Sequence, residues 1–301
     1  MGKKELRSCL MLLLAAAIWG FAFVAQRVGI EYVPSFAFNG IRFALGTLAM
    51  LPLMALYGRK APKPAKTANA LPRGLIMGLV LFVASSLQQI GLIYTSAGKA
   101  AFITGMYIVI VPLLGILLGH RIHPLSWVGV VISAAGLYLI SVTGGFAVSR
   151  GDLYEVSGAF CWAVHILLID RFTRQADALK LSVIQYATCS VLSLAVSAVF
   201  EKVQLSGVLN AAVPILYGGI FSVAIAYTLQ MLGQRNASPS HSAIILSMEA
   251  VFATLGGFLI LNENLGLRAY CGCALMIAAI LLSQYPIIHG EKKRSAETVK
   301  T

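Results

Sequence analysis

Charge is what this sequence has least of. Asp, Glu, Lys and Arg make up 11% of its 301 residues, against roughly 25% in an ordinary soluble protein. Such a chain cannot clothe a folded core in a polar surface, so a soluble globular architecture is excluded. Also missing are the patterns that place metals, nucleophiles or phosphates. There is no His-Glu-x-x-His, no Gly-x-Ser-x-Gly elbow, no Gly-rich phosphate loop ending in Lys and Ser/Thr, and no paired acidic cluster. No cofactor, no metal, no direct coupling to ATP and no enzymatic activity are therefore expected. Cysteine is scarce too, and Cys9, Cys161, Cys189, Cys271 and Cys273 all fall in apolar stretches. Cys271 and Cys273 diverge on a helix, which is wrong for a disulfide or a zinc site, so all five read as packing residues.

What the chain has in abundance is apolar side chains: 58% of its residues are hydrophobic and its mean hydropathy is +0.84. Crossing about 30 Å of hydrocarbon takes roughly 20 mainly apolar helical residues. Stretches of this kind run near 8–30, 35–57, 72–94, 98–119, 125–143, 153–169, 179–200, 211–232, 237–261 and 267–288, with Pro, Gly or charged breaks between them. The expected fold class is all-α and integral to the membrane, with ten transmembrane helices. The longest break, 58–71, holds Arg59, Lys60, Lys63, Lys66, Pro62 and Pro64 and reads as a basic loop. Lys3, Lys4 and Arg7 ahead of an apolar run have the look of a signal peptide, but the run continues through 20–24 and behaves as a first span.

The net charge of +12 is spread over short loops and tails, with no single basic patch interleaved with aromatics, so nucleic acid is not an expected partner. If the amino terminus is cytoplasmic, the inner segments carry seventeen Lys and Arg and the outer ones five, with Arg42 inside a span. That is the positive-inside bias. Both termini are expected in the cytoplasm.

The strongest organisational signal is an internal repeat. A shift of 142 places Gln88 on Gln230, Gly91 on Gly233, Ser96 on Ser238, Ala101 on Ala243, Met106 on Met248, Val109 on Val251 and Leu113 on Leu255, and a shift of 143 places Trp19 on Trp162. Five spans per repeat is odd, so the second copy must sit upside down relative to the first, the inverted architecture of many secondary transporters. The expected division is 1–145, 146–290 and a cytoplasmic tail 291–301. The loops agree: 120–123, with His120, Arg121 and His123, falls inside, and its equivalent 262–265, with Glu263, falls outside.

Ionisable groups within spans cost about 2.5–3.5 kcal/mol each at mid-helix on insertion scales and mark functional sites by default. Arg42 lies seven residues into the second span and Glu249 twelve into the ninth, depths of about 10 Å and 18 Å at 1.5 Å per residue. One reading is an ion pair that fixes two helices. The other is a polarised site in which Glu249 takes a proton or a cationic group and Arg42 holds a carboxylate. The repeat favours the second, because Arg42 falls on Gln185 and Glu249 on Tyr107, so each charge occurs once. Ser242, Ala253 and Gly256 share a helical face with Glu249, leaving space beside the carboxyl or letting another helix come close. Trp19, Phe23 and Gln26 share a face of the first span, Asn39 and Arg42 of the second, Ser85 and Gln89 of the third; Trp162 with His165 and Tyr227 with Gln230 follow in the sixth and eighth. The candidate substrate-binding set is thus Trp19, Phe23, Gln26, Asn39, Arg42, Gln89, Tyr107, Trp162, His165, Gln185, Tyr227 and Glu249, with Glu249 the candidate for proton coupling. Lys99 and His241 begin equivalent helices and are expected to snorkel or line gates. Gly74 with Gly78 and Gly115 with Gly119 have the small-xxx-small spacing of close helix packing. Pro112 has no proline counterpart and is expected to bend the fourth span.

Ile18-Trp19-Gly20 with Pro34 and Arg42-Phe43, the stretch 91–100 from Gly91 to Ala100, and the stretch 247–263 from Ser247 to Glu263 resemble the EamA family of the drug/metabolite transporter superfamily. The resemblance covers nearly the whole chain. It departs at Ala250, where proline often follows the glutamate, and at Asn262, where glycine usually precedes the second acidic residue. It implies two five-span repeats and passage of metabolites, such as amino acids or drug-like compounds, through a cavity lined by helices other than the fifth and tenth. The expected function is a secondary transporter, an exporter in the plasma (inner) membrane working by alternating access, with proton coupling open. A passive channel is the alternative, and a membrane-embedded enzyme the more remote one. Its partners are a small-molecule substrate, the lipid bilayer and, where the chain pairs, a second copy in a homodimer.

Overall fold

The computed structural model describes residues 3–57, 68–119, 124–141, 149–261 and 266–298. Most of the basic loop (58–67), the equivalent loops 120–123 and 262–265 and the end of the tail lie outside the described residues. Eight helices are long and apolar enough to cross a membrane. They are span 1 (Lys4–Gly29), span 2 (Ser35–Ala55), span 3 (Ala70–Tyr94), span 4 (Ala97–Leu117), span 6 (Arg150–Thr173), span 7 (Ala178–Phe200), span 8 (Ala212–Gln234) and span 9 (Pro239–Ile260). Two shorter apolar helices, span 5 (Pro124–Leu139) and span 10 (Leu267–Leu282), complete the ten.

Local chemistry fixes the helix starts. The side chains of Asn69, Ser96, Asp177 and Ser238 each accept a hydrogen bond from a backbone N–H in the first turn that follows. Ser96 and Ser238 are repeat equivalents. Span 6 opens on a capping box between Ser149 and Asp152. Span 2 borrows its cap: both carboxylate oxygens of Glu201, at the end of span 7, accept from the N–H groups of Phe36 and Ala37 at 2.9 and 2.8 Å.

Burial runs opposite to that of a soluble protein. Asn39, Gln89, His165, Gln185 and Gln234 are fully enclosed, whereas Leu117, Val199, Phe200, Val213 and Leu267 stand exposed on the outside. Such a surface is suited to lipid. Packing follows the repeat. Span 1 lies against spans 8 and 9 as span 6 lies against spans 3 and 4; span 2 packs on spans 7 and 8 as span 7 packs on spans 2 and 3; spans 5 and 10 pair with each other. Exchanging the halves reproduces this scheme, so the molecule is two inverted five-helix repeats about a two-fold pseudo-axis.

Glycine sets the closest approaches. A Cβ on Gly20 would collide with Phe252 and with the backbone of Ala253 and Glu249, and one on Gly78 would stand 2.9 Å from the Gln185 carbonyl. Gly256 likewise admits Phe21 and Val24 of span 1. The small residues after Glu249 therefore let span 1 approach span 9 closely. Gly74 packs on Ile184 of span 7 as expected from its spacing with Gly78, but Gly119 meets nothing and instead ends span 4 at a φ of 81°.

Spans 4 and 9 are broken, at the same repeat position. Span 4 consists of Ala97–Gly105 and Tyr107–Leu117, and span 9 of Pro239–Leu246 and Glu249–Leu261. At each break the chain tightens: Met106 N–H bonds to the Ile103 carbonyl and Met248 N–H to that of Ile245, both at 3.1 Å and three residues back. Gly105 precedes one break. Ser247 sits in the other, and its hydroxyl takes the Ile244 carbonyl at 2.8 Å. Pro112 lies six residues past the first break, within Tyr107–Leu117, and its equivalent Thr254 follows an equal break with no proline, so the break does not require Pro112. The second break also separates Ser242 from Glu249, which do not share one continuous helical face. Span 8 is different again: Tyr217–Tyr227 is a π-helix.

Candidate functional site

Spans 1, 2, 3, 4, 6, 8 and 9 line a cavity of about 40 Å³. Its wall is built largely in repeat-related pairs: Trp19 with Trp162, Phe23 with Ile166, Gln88 with Gln230, Thr104 with Leu246, and Tyr107 with Glu249. The cavity thus straddles the two-fold pseudo-axis. Tyr107 and Glu249 each begin the second piece of a broken span. They meet there, the Tyr107 hydroxyl turned towards the Glu249 carboxyl, while Tyr107 Oη and Glu249 Oε1 close no well-formed hydrogen bond within the protein.

Arg42 enters from span 2. Its Nε donates to Asn39 Oδ1 at 2.9 Å, and Asn39 Nδ2 donates to the Ser85 carbonyl at 3.0 Å. The guanidinium carbon stands 5.0 Å from the Phe43 ring centre and 5.7 Å from that of Phe38, at cation–π distance. Gly218 leaves room for its stem, since a Cβ there would sit 3.2 Å from Arg42 Cδ. Ion pairs among the described residues include Lys99–Asp152 and Arg174–Asp170, and none joins Arg42 to Glu249. Arg42 and Glu249 therefore face one cavity without bonding to each other, and the helix-fixing ion pair is not formed.

Aromatic rings gather on Tyr227. Trp19 meets it edge-on at 4.7 Å and Trp162 stacks on it at 6.1 Å. Trp162 Nε1 donates to Gln88 Oε1 at 2.9 Å, and Gln88 Nε2 reaches Gln26 Oε1 at 3.4 Å. Trp19 Nε1 donates to the Ser222 carbonyl at 3.2 Å, within the π-helix.

Trp19, Phe23, Gln26, Arg42, Tyr107, Trp162, Tyr227 and Glu249 are in the cavity wall. Asn39, Gln89, His165 and Gln185 are not, and each has a reason. Asn39 is the strut behind Arg42. His165 Nε2 bonds to Gln185 Oε1 at 2.9 Å behind the wall, while His165 Nδ1 and Gln185 Nε2 make no hydrogen bond. Gln89 turns to the Gln26 backbone carbonyl at 3.5 Å, and its neighbour Gln88 takes the wall position. His241 does not snorkel, being buried with its ring 3.8 Å from Cys9 Sγ, whereas Lys99, at the start of span 4, keeps a partly exposed side chain and pairs with Asp152 at 2.7 Å.

Thr104 and Ser222 in the wall and Glu155 just behind it are not among the residues expected from the sequence. Ser222 was hidden by the π-helix, whose i to i+5 bonding brings residues 222 and 227 to one side where a 3.6-residue period separates them. Glu155 was hidden by its closeness to Asp152 and the start of span 6. Its seven-residue spacing from Trp162 was the available signal.

A multi-pass, all-helical bundle of two inverted repeats around a shared cavity has the architecture of a membrane transporter that takes a small-molecule substrate. The chain belongs to the EamA-like transporter family, whose pattern matches residues 6–142 and again 149–285. It is 29% identical over 282 residues to an uncharacterized transporter of Archaeoglobus fulgidus, covering 93% of this chain and 87% of that one. It is 24% identical over 270 residues to the uncharacterized inner membrane transporter YedA of Escherichia coli K12, covering 88% and 86%. A solved crystal structure at 18% identity overlays with a TM-score of 0.75, covering 92% of this chain and 96% of that one, a likeness of fold.

Proposed function

We propose that this protein is a secondary carrier that exports a small metabolite, such as an amino acid or a drug-like compound, across the plasma (inner) membrane by alternating access. The observation that carries the reading is the cavity on the pseudo-axis, with one carboxyl and one guanidinium on its wall, unpaired with each other. Such a pair suits a solute that has both an anionic and a cationic end, and the aromatic group at Trp19, Trp162 and Tyr227 suits an apolar body between them. The broken spans 4 and 9 give each half a bend at equal depth, so that the halves, 1–145 and 146–290, rock about the site. Glu249 is proposed to take up the coupling proton. The seventeen-to-five distribution of Lys and Arg supports cytoplasmic termini.

A thermal-shift screen of the purified chain against amino acids, nucleosides, sugars and organic cations is expected to raise Tm with one class, since a ligand of the folded state stabilises it. Flux of that solute into proteoliposomes is expected to saturate. A flux that rises linearly with concentration would instead identify a channel.

A further inference from the structure

The two halves differ at one buried place behind the cavity wall. Leu12 of span 1 is fully enclosed and packs against Gly233 of span 8, where a Cβ would come within 2.9 Å of the Leu12 Cγ. It shares an apolar cluster with Leu246 of span 9. The repeat turns Leu12 into Glu155, Gly233 into Gly91 and Leu246 into Thr104. The contacts are kept. A Cβ on Gly91 would stand 2.5 Å from Glu155 Oε1, and the Thr104 hydroxyl donates to Glu155 Oε2 at 3.1 Å. Leucine thus fills this space in one half, so packing does not call for a carboxyl in the other. Yet Glu155 is 0% exposed, and its Oε1 is without a hydrogen-bond partner. An acid spent in this way within a span marks an ion pathway.

Its surroundings give it two sides. Towards the cavity stands Thr104, on the first piece of span 4 and two residues before the break at Met106. Towards the helix start, Asp152 lies one turn back on span 6 and is paired with Lys99 of span 4. The charged groups near enough to act on Glu155 are Asp152 on its own helix and Glu249 on span 9; span 3 presents Gly91 to it.

Resting on the carrier reading above, we propose that Glu155 is a second proton-binding site, placed between the Lys99–Asp152 pair and the cavity. A proton from water on the Lys99–Asp152 side binds Oε1, while Oε2 keeps its bond from Thr104. The neutral acid holds the first piece of span 4 against span 6. When the bend after Gly105 draws Thr104 away, cavity water reaches the group and accepts the proton, leaving a carboxylate.

The test uses the full chain in lipid, with protons alone as the probe, and reads the carboxylic-acid C=O stretch by infrared difference spectroscopy across a pH series. A band that grows on acidification is expected to vanish in Glu155→Gln, to persist in Glu249→Gln and to move in Thr104→Val, which removes the donor to Oε2. Superimposable spectra of wild type and Glu155→Gln, or no movement in Thr104→Val, would overturn the proposal. The variant Glu155→Leu copies the residue the other half already uses at this place, Leu12. It is expected to fold, with saturable flux whose response to a pH gradient falls at least several-fold; an undiminished response also overturns the site. A non-saturating wild-type flux defeats the carrier reading alone, because the infrared band does not depend on transport.

Discussion

Arg42 and Glu249 are the residues on which recognition turns, and each makes a different prediction. Glu249→Gln keeps size but can neither exchange a proton nor hold a cationic group by charge, so flux should saturate only at higher solute concentration and lose its dependence on a pH gradient; an unchanged dependence would remove Glu249 from coupling. Arg42→Lys keeps the charge but loses the planar fork and its stacking on Phe38 and Phe43. Ligand affinity by calorimetry should fall about tenfold, or ~1.4 kcal/mol. Both residues were legible in the sequence because a charge inside an apolar run is costly unless it has a partner or a watery cavity. The amides were not. Gln88 and Gln89 are equally polar, and only the rotation of span 3 against span 1 puts the first in the wall and the second behind it.

At the scale of the element, the helices were legible and their irregularities were not. Apolar length fixes that a span exists, and all ten stand where apolar runs were read. A break needs only a missed hydrogen bond, and neither Gly105 nor Ser247 advertises one, whereas Pro112 is conspicuous and sits in an unbroken stretch. The close crossing of spans 1 and 9 is the element most exposed to substitution. Gly20→Val would push Phe252 and the span 9 backbone beside Glu249 outward. A loss of about 1–3 kcal/mol is expected, as for overpacked cores, read as a lowered Tm in detergent. An unaltered Tm would mean that this crossing yields easily.

For the whole molecule, the odd number of spans per repeat carries a plain prediction: tags on the amino and carboxyl ends should be reached by the same membrane-impermeant reagent from the same side. Labelling from opposite sides would defeat the ten-span inverted arrangement. The repeat was legible because residues such as Gln88 and Gln230 align without a gap, and what it could not convey was that both face one shared cavity. That sharing has a kinetic corollary. If the halves were identical, the state open to one side would be the mirror of the state open to the other and equal to it in free energy, and such a device could not rectify. Whatever bias this protein has between loading and unloading must therefore reside where its halves disagree, and such places include Tyr107 and Glu249, Leu12 and Glu155, Thr104 and Leu246, and Arg42 and Gln185.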